Sequence, residues 1–219
     1  MKFKLIVFDW DGTLMDSEAR IVDCMQLAIA DTGQPARAAE QIRNVIGLGL
    51  QEAVEVLFPQ SSKEECGQVA QGYREHYFTN QGAPSPLFPG AAEVVRELGE
   101  QDYLLAVATG KGRRGLDESM RDSGVEGLFH STRCADETFS KPHPEMLEQI
   151  MDELGVSPRE TLMVGDTEYD MQLAANARTA ALAVDYGVHS RERLLAQSPL
   201  DCLSDVRQIP TWLANGQVA

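Results

Sequence analysis

The sequence predicts an α/β protein: a doubly wound, mostly parallel sheet forming a Rossmann-like core, with an all-α helical cap inserted after the first strand. Three observations carry this reading. Short unbroken apolar runs, each stopped by a polar residue, alternate with helical patterns in residues 1–16 and 84–219. Runs of that form suit strands buried on both faces, and their alternation with helices requires crossover connections and hence a parallel sheet. Residues 17 to about 80 break the rhythm, because they hold no strand-like run and read as consecutive helices.

Taken in order, the first run covers 5–8 and stops at Asp9. The inserted segment begins after Asp16-Ser17 with a helix that puts Ile21, Met25, Ala28 and Ile29 on one face and ends near Gly33. A second helix is expected over 38–45 and a third over 50–58, before Pro59. The fourth starts at Ser61-Ser62, where Glu64 and Glu65 stand three residues on as capping-box partners, and runs to about Thr79. Residues 81–90 contain three prolines and two glycines and read as the linker back to the core. The core then resumes with a helix over 91–100 and a strand over 103–108 ending at Thr109. A helix over 116–123 and a weaker strand within 128–134 follow, then a helix over 144–154. A strand over 161–165 ends at Asp166, a helix covers 169–178, and a last strand over 179–184 ends at Asp185. The expected division is therefore 1–16 with 84–219 as the catalytic core and 17–83 as the cap.

The 219 residues carry 19 Lys and Arg against 34 Asp and Glu, a formal charge of −15. A surface this negative repels phosphate backbones and anionic headgroups, so neither nucleic acid nor membrane is expected as a partner. Any anionic substrate must be received at a local positive site. Cys24, Cys66, Cys134 and Cys202 are scattered and form no C-x-x-C pair, which argues against zinc and against a disulfide framework. No stretch approaches the roughly 18 apolar residues of a membrane span, and the first apolar run is too short for a signal peptide, so the expected location is the cytoplasm. The four histidines are dispersed and are assigned no metal.

In open parallel sheets ligands bind at the carboxyl ends of the strands, which directs attention to Asp9, Thr109 and Asp166. Asp9-Trp10-Asp11-Gly12-Thr13 places two carboxylates two residues apart where the chain leaves the sheet, an arrangement suited to a nucleophile beside a general acid/base. Asp166 and Asp170, in Gly165-Asp166-Thr167-Glu168-Tyr169-Asp170, add oxygen ligands of the kind a hard divalent cation favours, so that Asp9 and Asp166 could share one Mg²⁺. A phosphate dianion beside four carboxylates needs compensation by a cation and a lysine. The candidate is Lys141 in Ser140-Lys141-Pro142-His143-Pro144, and Thr109-Gly110 offers neutral donors for phosphoryl oxygens.

In this order, Asp9-Trp10-Asp11-Gly12-Thr13, Thr109-Gly110, Lys141-Pro142 and Gly165-Asp166 with Asp170 resemble the four motifs of the haloacid dehalogenase superfamily of phosphohydrolases. The helical insertion looks like that family's all-α cap, and the Lys-Pro-x-Pro motif is most similar to its phosphoglycolate phosphatase-like branch. The resemblance implies a Mg²⁺-dependent phosphatase acting on a small phosphomonoester, phosphoglycolate-like or a sugar phosphate. Asp9 would attack phosphorus to form an aspartyl-phosphate, and Asp11 would protonate the leaving alcohol and later activate water. Thr109, Gly110 and Lys141 would bind the phosphoryl group. The metal would take Asp9, Asp166 and the backbone carbonyl of Asp11, with Asp170 orienting water or the lysine. Asp11 also separates a phosphatase from the family's dehalogenases, which lack an acid there.

The turn Ile46-Gly47-Leu48-Gly49-Leu50 is the candidate selecting loop, with Arg20 and Arg43 as candidates for a second anionic group, and Lys111, Arg113 and Arg114 forming a basic cluster beside Thr109. Each of these arginines and lysines could equally be a solvated helix residue. Tyr73, His76, Tyr77 and Phe78 suit either a pocket or a packed cap core. Arg178 stands where the family commonly has glycine, a position it would fit poorly if a left-handed residue is needed. A phosphomutase of the same superfamily and, more remotely, a phospho-accepting receiver module are the alternatives. The expected partner is a small-molecule substrate, with the chain a monomer or homodimer.

Overall fold

A computed structural model describes residues 3–79 and 85–216. Six strands form one parallel sheet: β1 (Leu5–Phe8), β2 (Leu104–Thr109), β3 (Ser131–Cys134), β4 (Thr161–Gly165), β5 (Ala180–Val184) and β6 (Cys202–Leu203). Their order across the sheet is β3-β2-β1-β4-β5-β6. This is the doubly wound order in which the winding reverses beside the first strand, and it differs from the order of receiver domains.

Alternation along the strands builds two separate apolar layers. Ile6 and Phe8 of β1, with Leu105 and Val107 of β2, pack on the face covered by α5 (Ala91–Glu100), α6 (Arg113–Asp122) and α10 (Ile209–Gly216). Leu5 and Val7, with Ala106 and Ala108, face α7 (Glu145–Leu154) and α8 (Glu168–Asn176). All eight strand residues are fully buried, as a sheet covered on both sides requires.

Among the described residues between β1 and α5 the chain makes four helices: α1 (Glu18–Asp31), α2 (Ala39–Arg43), α3 (Leu50–Leu57) and α4 (Lys63–Thr79). They bury an apolar cluster of their own, including Met25, Ile29, Ile42, Val54 and Val69. The capping box forms at the start of α4, where Ser62 N–H donates to Glu65 Oε2 at 2.7 Å and Glu65 N–H donates to Ser62 Oγ at 3.2 Å. The two passages between cap and core lie side by side. Asp16 N–H donates to the Pro86 carbonyl and Phe88 N–H to the Leu14 carbonyl, each at 2.9 Å, about an antiparallel bridge between Met15 and Leu87. The expected cap boundary at 83/84, and the first four residues of the expected linker, lie outside the described residues.

Several boundaries differ from expectation for identifiable reasons. Helix α6 begins at Arg113, not 116, because Gly112 is its N-cap and the first two helical residues are arginines that carry no apolar periodicity. Helix α2 spans five residues where eight were expected. Strand β6, helix α9 (Arg191–Leu195) and α10 were not expected at all. A two-residue strand leaves no apolar run to read.

Arg178 follows α8 at φ +60°, in the left-handed region. Thr179 N–H donates to the Ala174 carbonyl at 2.9 Å and Arg178 N–H to the Ala175 carbonyl at 3.1 Å, the paired bonds of a Schellman cap whose αL position Arg178 occupies. A non-glycine residue costs about 1–2 kcal/mol there, partly offset by glycine's greater unfolded-state freedom. Arg178→Gly is therefore expected to stabilise the protein by about 0.5–1 kcal/mol, measured as a raised urea midpoint with unchanged slope.

Candidate active site

The sheet order brings the strand ends together. Strands β1 and β4 are direct neighbours, with Phe8 in register with Val164, so Asp9 and Asp166 leave adjacent strands at the point where the winding reverses. Thr109 ends β2 on the other side of β1, and Lys141 reaches in from the loop between β3 and α7. The turn after Asp9 is made by Gly12 at φ +86°. A Cβ there would stand 2.2 Å from Asp166 Oδ2, so glycine is required both by conformation and by the close approach.

Asp9, Asp166 and Asp170 each offer a carboxylate oxygen to one cluster, those oxygens lying within 4.8 Å of one another. Lys141, 2% exposed, sits among them with Nζ 2.8 Å from Asp9 Oδ1 and 2.6 Å from Asp170 Oδ1. Asp166 is held by the Thr13 hydroxyl at 2.7 Å on Oδ1 and by Val188 N–H at 2.8 Å on Oδ2. Asp170 Oδ2 accepts from the Thr167 backbone N–H at 3.0 Å and from its hydroxyl at 2.7 Å. Asp9 Oδ1 also accepts from Trp10 N–H at 2.7 Å, whereas Asp9 Oδ2 is buried with no hydrogen-bond partner.

Three buried carboxylates against one ammonium leave an excess of negative charge. Burial, then the neighbouring charges of Asp170 and Asp166, push the Asp9 carboxyl well above the usual carboxylate range despite the pull of Lys141. Burial and Asp170 likewise push Asp166 up to about 7. Burial works against the Lys141 ammonium, but Asp170 and Asp9 outweigh it and keep its pKa above the ordinary lysine value. The unsatisfied Asp9 oxygen and the all-oxygen donor set fit a hard divalent cation, which would relieve this excess.

The Asp11 carboxylate stands apart from the cluster. Its Oδ1 accepts from the Ser17 hydroxyl at 2.7 Å, and Lys111 Nζ lies 3.0 Å from both of its oxygens. That ammonium also stacks 4.6 Å from the centroid of the Tyr77 ring on α4, so one core lysine links the second acid to the cap. Thr109 is buried, and its Oγ1 accepts from Lys111 N–H at 3.2 Å.

The cap turn 46–50 docks directly on the strand ends. A Cβ on Gly110 would stand 2.3 Å from the Leu48 carbonyl oxygen, and Gly49 N–H donates to Ser140 Oγ at 2.7 Å, beside Lys141. Between cap and core lies a cavity of about 680 Å³, whose floor includes Asp9, Asp11 and Thr109. On the far side of the cluster, Tyr169 donates from its hydroxyl to the Asn44 carbonyl at 2.8 Å, and Arg193 to Asn44 Oδ1 at 2.8 Å, pinning the end of α2 to the core.

The other basic candidates are placed differently. Arg43 pairs with Glu18, and Arg20 donates to the Tyr77 carbonyl at 2.7 Å while lying on the Tyr77 ring. Neither lines the cavity. Arg113 turns to Glu137 and Asp117, away from the acids, and Arg114 covers the Phe78 ring. Among this basic cluster, only Lys111 reaches a proposed catalytic group. Sequence reasoning assigned no role to Thr13, Ser17 or Ser140, although each stands within or beside a motif and a hydroxyl there could have been read as an orienting donor. The Gly187-Val188 contact with Asp166 carried no signal, because it comes from a loop after β5 with no motif of its own.

Residues 6–184 match the family model described as haloacid dehalogenase-like hydrolase. The protein named probable phosphatase IndB from Dickeya dadantii is 34% identical over 92% of this chain and 91% of its own length. A phosphoglycolate phosphatase of Aliivibrio fischeri is 31% identical, covering 92% of each. Among solved structures, a hydrolase from Pseudomonas syringae superposes with a TM-score of 0.89 over 100% of both chains at 20% identity, which speaks to the fold. A model match of this extent, together with relatives above 30% identity along nearly their whole length, establishes the family: the chain belongs to the haloacid dehalogenase-like hydrolases.

Proposed function

We propose that this protein is a Mg²⁺-dependent phosphatase that hydrolyses a small phosphomonoester through an aspartyl-phosphate on Asp9. The observation that carries the reading is a buried, partly unsatisfied Asp9 carboxylate, paired with Lys141, at one wall of a cavity that Asp11 also lines. The names of the curated relatives, probable phosphatase and phosphoglycolate phosphatase, support the same chemistry. Mg²⁺ would be held by Asp9, Asp166 and Asp170, with the Asp11 carbonyl as a further donor, and would supply charge neutralisation for the phosphoryl oxygens.

The side chains divide the remaining work. Two donors fix Asp9 Oδ1, which orients the carboxylate for attack on phosphorus as the ester P–O bond breaks. Asp11 gives its proton to the departing alkoxide, then, as the carboxylate, takes one from the water that breaks the Asp9–phosphoryl bond and releases inorganic phosphate. Lys141 and Thr109 oppose the phosphoryl charge. The docked cap excludes bulk water from the cavity during these steps.

The test is release of inorganic phosphate from a panel of phosphomonoesters with and without Mg²⁺. Activity that requires Mg²⁺ and no added bisphosphate is expected; a requirement for bisphosphate activator, with product retaining its phosphoryl group, would indicate a mutase instead. Stability gives a second check. With its pKa raised to about 7, Asp166 retains a proton in the folded state that the unfolded chain releases near 4. The metal-free fold therefore loses stability as pH rises through that interval, and the loss is complete above it. A divalent cation takes the proton's place. Millimolar Mg²⁺ is expected to raise Tm by several degrees at pH 7.5 and by little at pH 5, measured by differential scanning calorimetry.

A further inference from the structure

The cavity is larger and more apolar than a phosphoryl group and a two-carbon acid require. Its catalytic rim occupies one side only. The cap side is lined by Ile21, Met25, Ile46, Leu50, Tyr73 and Phe78, and the volume of about 680 Å³ falls in the range that encloses ligands of roughly 300–1,000 Å³. Tyr73, half-buried on α4, stacks on Tyr77 with centroids 5.8 Å apart and planes inclined by 30°, extending an aromatic wall toward the acids.

Charge points the same way. Cations along this wall are already engaged: Lys111 holds Asp11, and Arg114 lies on Phe78 and pairs with Glu118. Arg74 stands exposed beside Glu75, where an ion pair with a ligand would be screened by water. Glu52, Glu75 and Asp136 also border the cavity. A second carboxylate on the substrate would thus be desolvated against apolar walls beside like charge, without a buried cation to receive it.

We infer that the ester's alcohol is a large, uncharged, ring-bearing group of the kind found in nucleosides, and not a short hydroxy acid. The inference rests on the phosphatase reading and specifies its substrate class. The phosphoryl group lies at the rim against Lys141 and Thr109, and the ring lies in the cap against Tyr73, where stacking on an aromatic side chain contributes binding for any flat partner.

The experiment compares kcat/KM of the full-length enzyme with Mg²⁺ on three primary alkyl esters: adenosine monophosphate, glycerol phosphate and phosphoglycolate. Adenosine monophosphate is expected to exceed both others by about tenfold or more, the scale of one base–aromatic contact. Tyr73→Leu, which keeps an apolar side chain in the wall, is expected to lower the ratio of adenosine monophosphate to glycerol phosphate by about fivefold or more. Because both esters are measured on one preparation, partial misfolding cancels from that ratio. Equal turnover of all three, or a preference for phosphoglycolate that Arg74→Gln removes, overturns the inference and leaves the phosphatase standing. Absence of Asp9-dependent phosphate release from every ester overturns both.

Discussion

Asp9→Asn is expected to lower kcat for phosphate release by ~10⁴-fold or more while raising the thermal stability of the metal-free protein. Asparagine preserves the shape of the side chain and an acceptor oxygen for Trp10 N–H and Lys141, so the fold has no reason to rearrange. The amide lacks the negative charge of a nucleophile, and no other carboxylate can replace it. Asp166 is held by two donors and Asp170 by three, and Asp11 is engaged with Lys111 and Ser17. The stability gain has a separate origin. Asp9 is buried among like charges that already drive it toward the neutral acid, so removing its charge relieves repulsion and desolvation together. Lys141 keeps Asp170 at 2.6 Å as its counterion. Two measurements check the prediction: steady-state phosphate release, and melting temperature in a chelator. Acid-quenched wild type should also carry the mass of one phosphoryl group that the variant lacks. Unchanged turnover in Asp9→Asn would rule out covalent catalysis at this residue.

Much of this arrangement could be read from the sequence because its determinants are local. A strand buried on both faces must be an apolar run, and the residue that ends it must sit at the sheet's rim, which is why Asp9, Thr109 and Asp166 could be named from one-dimensional information. The helices between β1 and α5 were legible for the same kind of reason: among the described residues there, helical periodicity is not interrupted by a strand. What escaped is set by tertiary packing. Whether Lys111 or Arg113 reaches Asp11 depends on which face of the turn before α6 points toward the cavity, and Arg113 is drawn off by Glu137. The hold on Asp166 by the loop after β5, and the docking of Gly49 on Ser140, join segments more than twenty and ninety residues apart. No pattern within either segment encodes such a meeting. Strand β6 is added to the sheet's edge by two residues whose pairing, not composition, makes them a strand.

Asp11→Asn is expected to divide substrates by leaving group. Alkyl phosphates need the departing oxygen protonated, and loss of the general acid should lower their kcat by about 10²–10⁴-fold. Aryl phosphates leave as stabilised phenolates and need no proton, so formation of the aspartyl-phosphate should survive. Its hydrolysis should not, because the same residue is proposed to take the proton from the attacking water. An aryl phosphate should therefore give the variant a burst of phenol close to one per enzyme, followed by turnover far slower than that of wild type. Asparagine is preferred to alanine because it can still accept from Ser17, whereas either change removes the countercharge of Lys111. Lys111 is nearly buried against Tyr77, so an unpaired ammonium there disfavours the docked cap, and KM should rise for every substrate. Lys111→Met in the same background restores electrical balance and should recover KM without recovering kcat for alkyl esters. That split separates the two roles of the contact: the carboxylate moves protons, and its lysine holds the cap against the acid. If alkyl and aryl esters lose activity equally and no burst appears, Asp11 orients the site without transferring a proton.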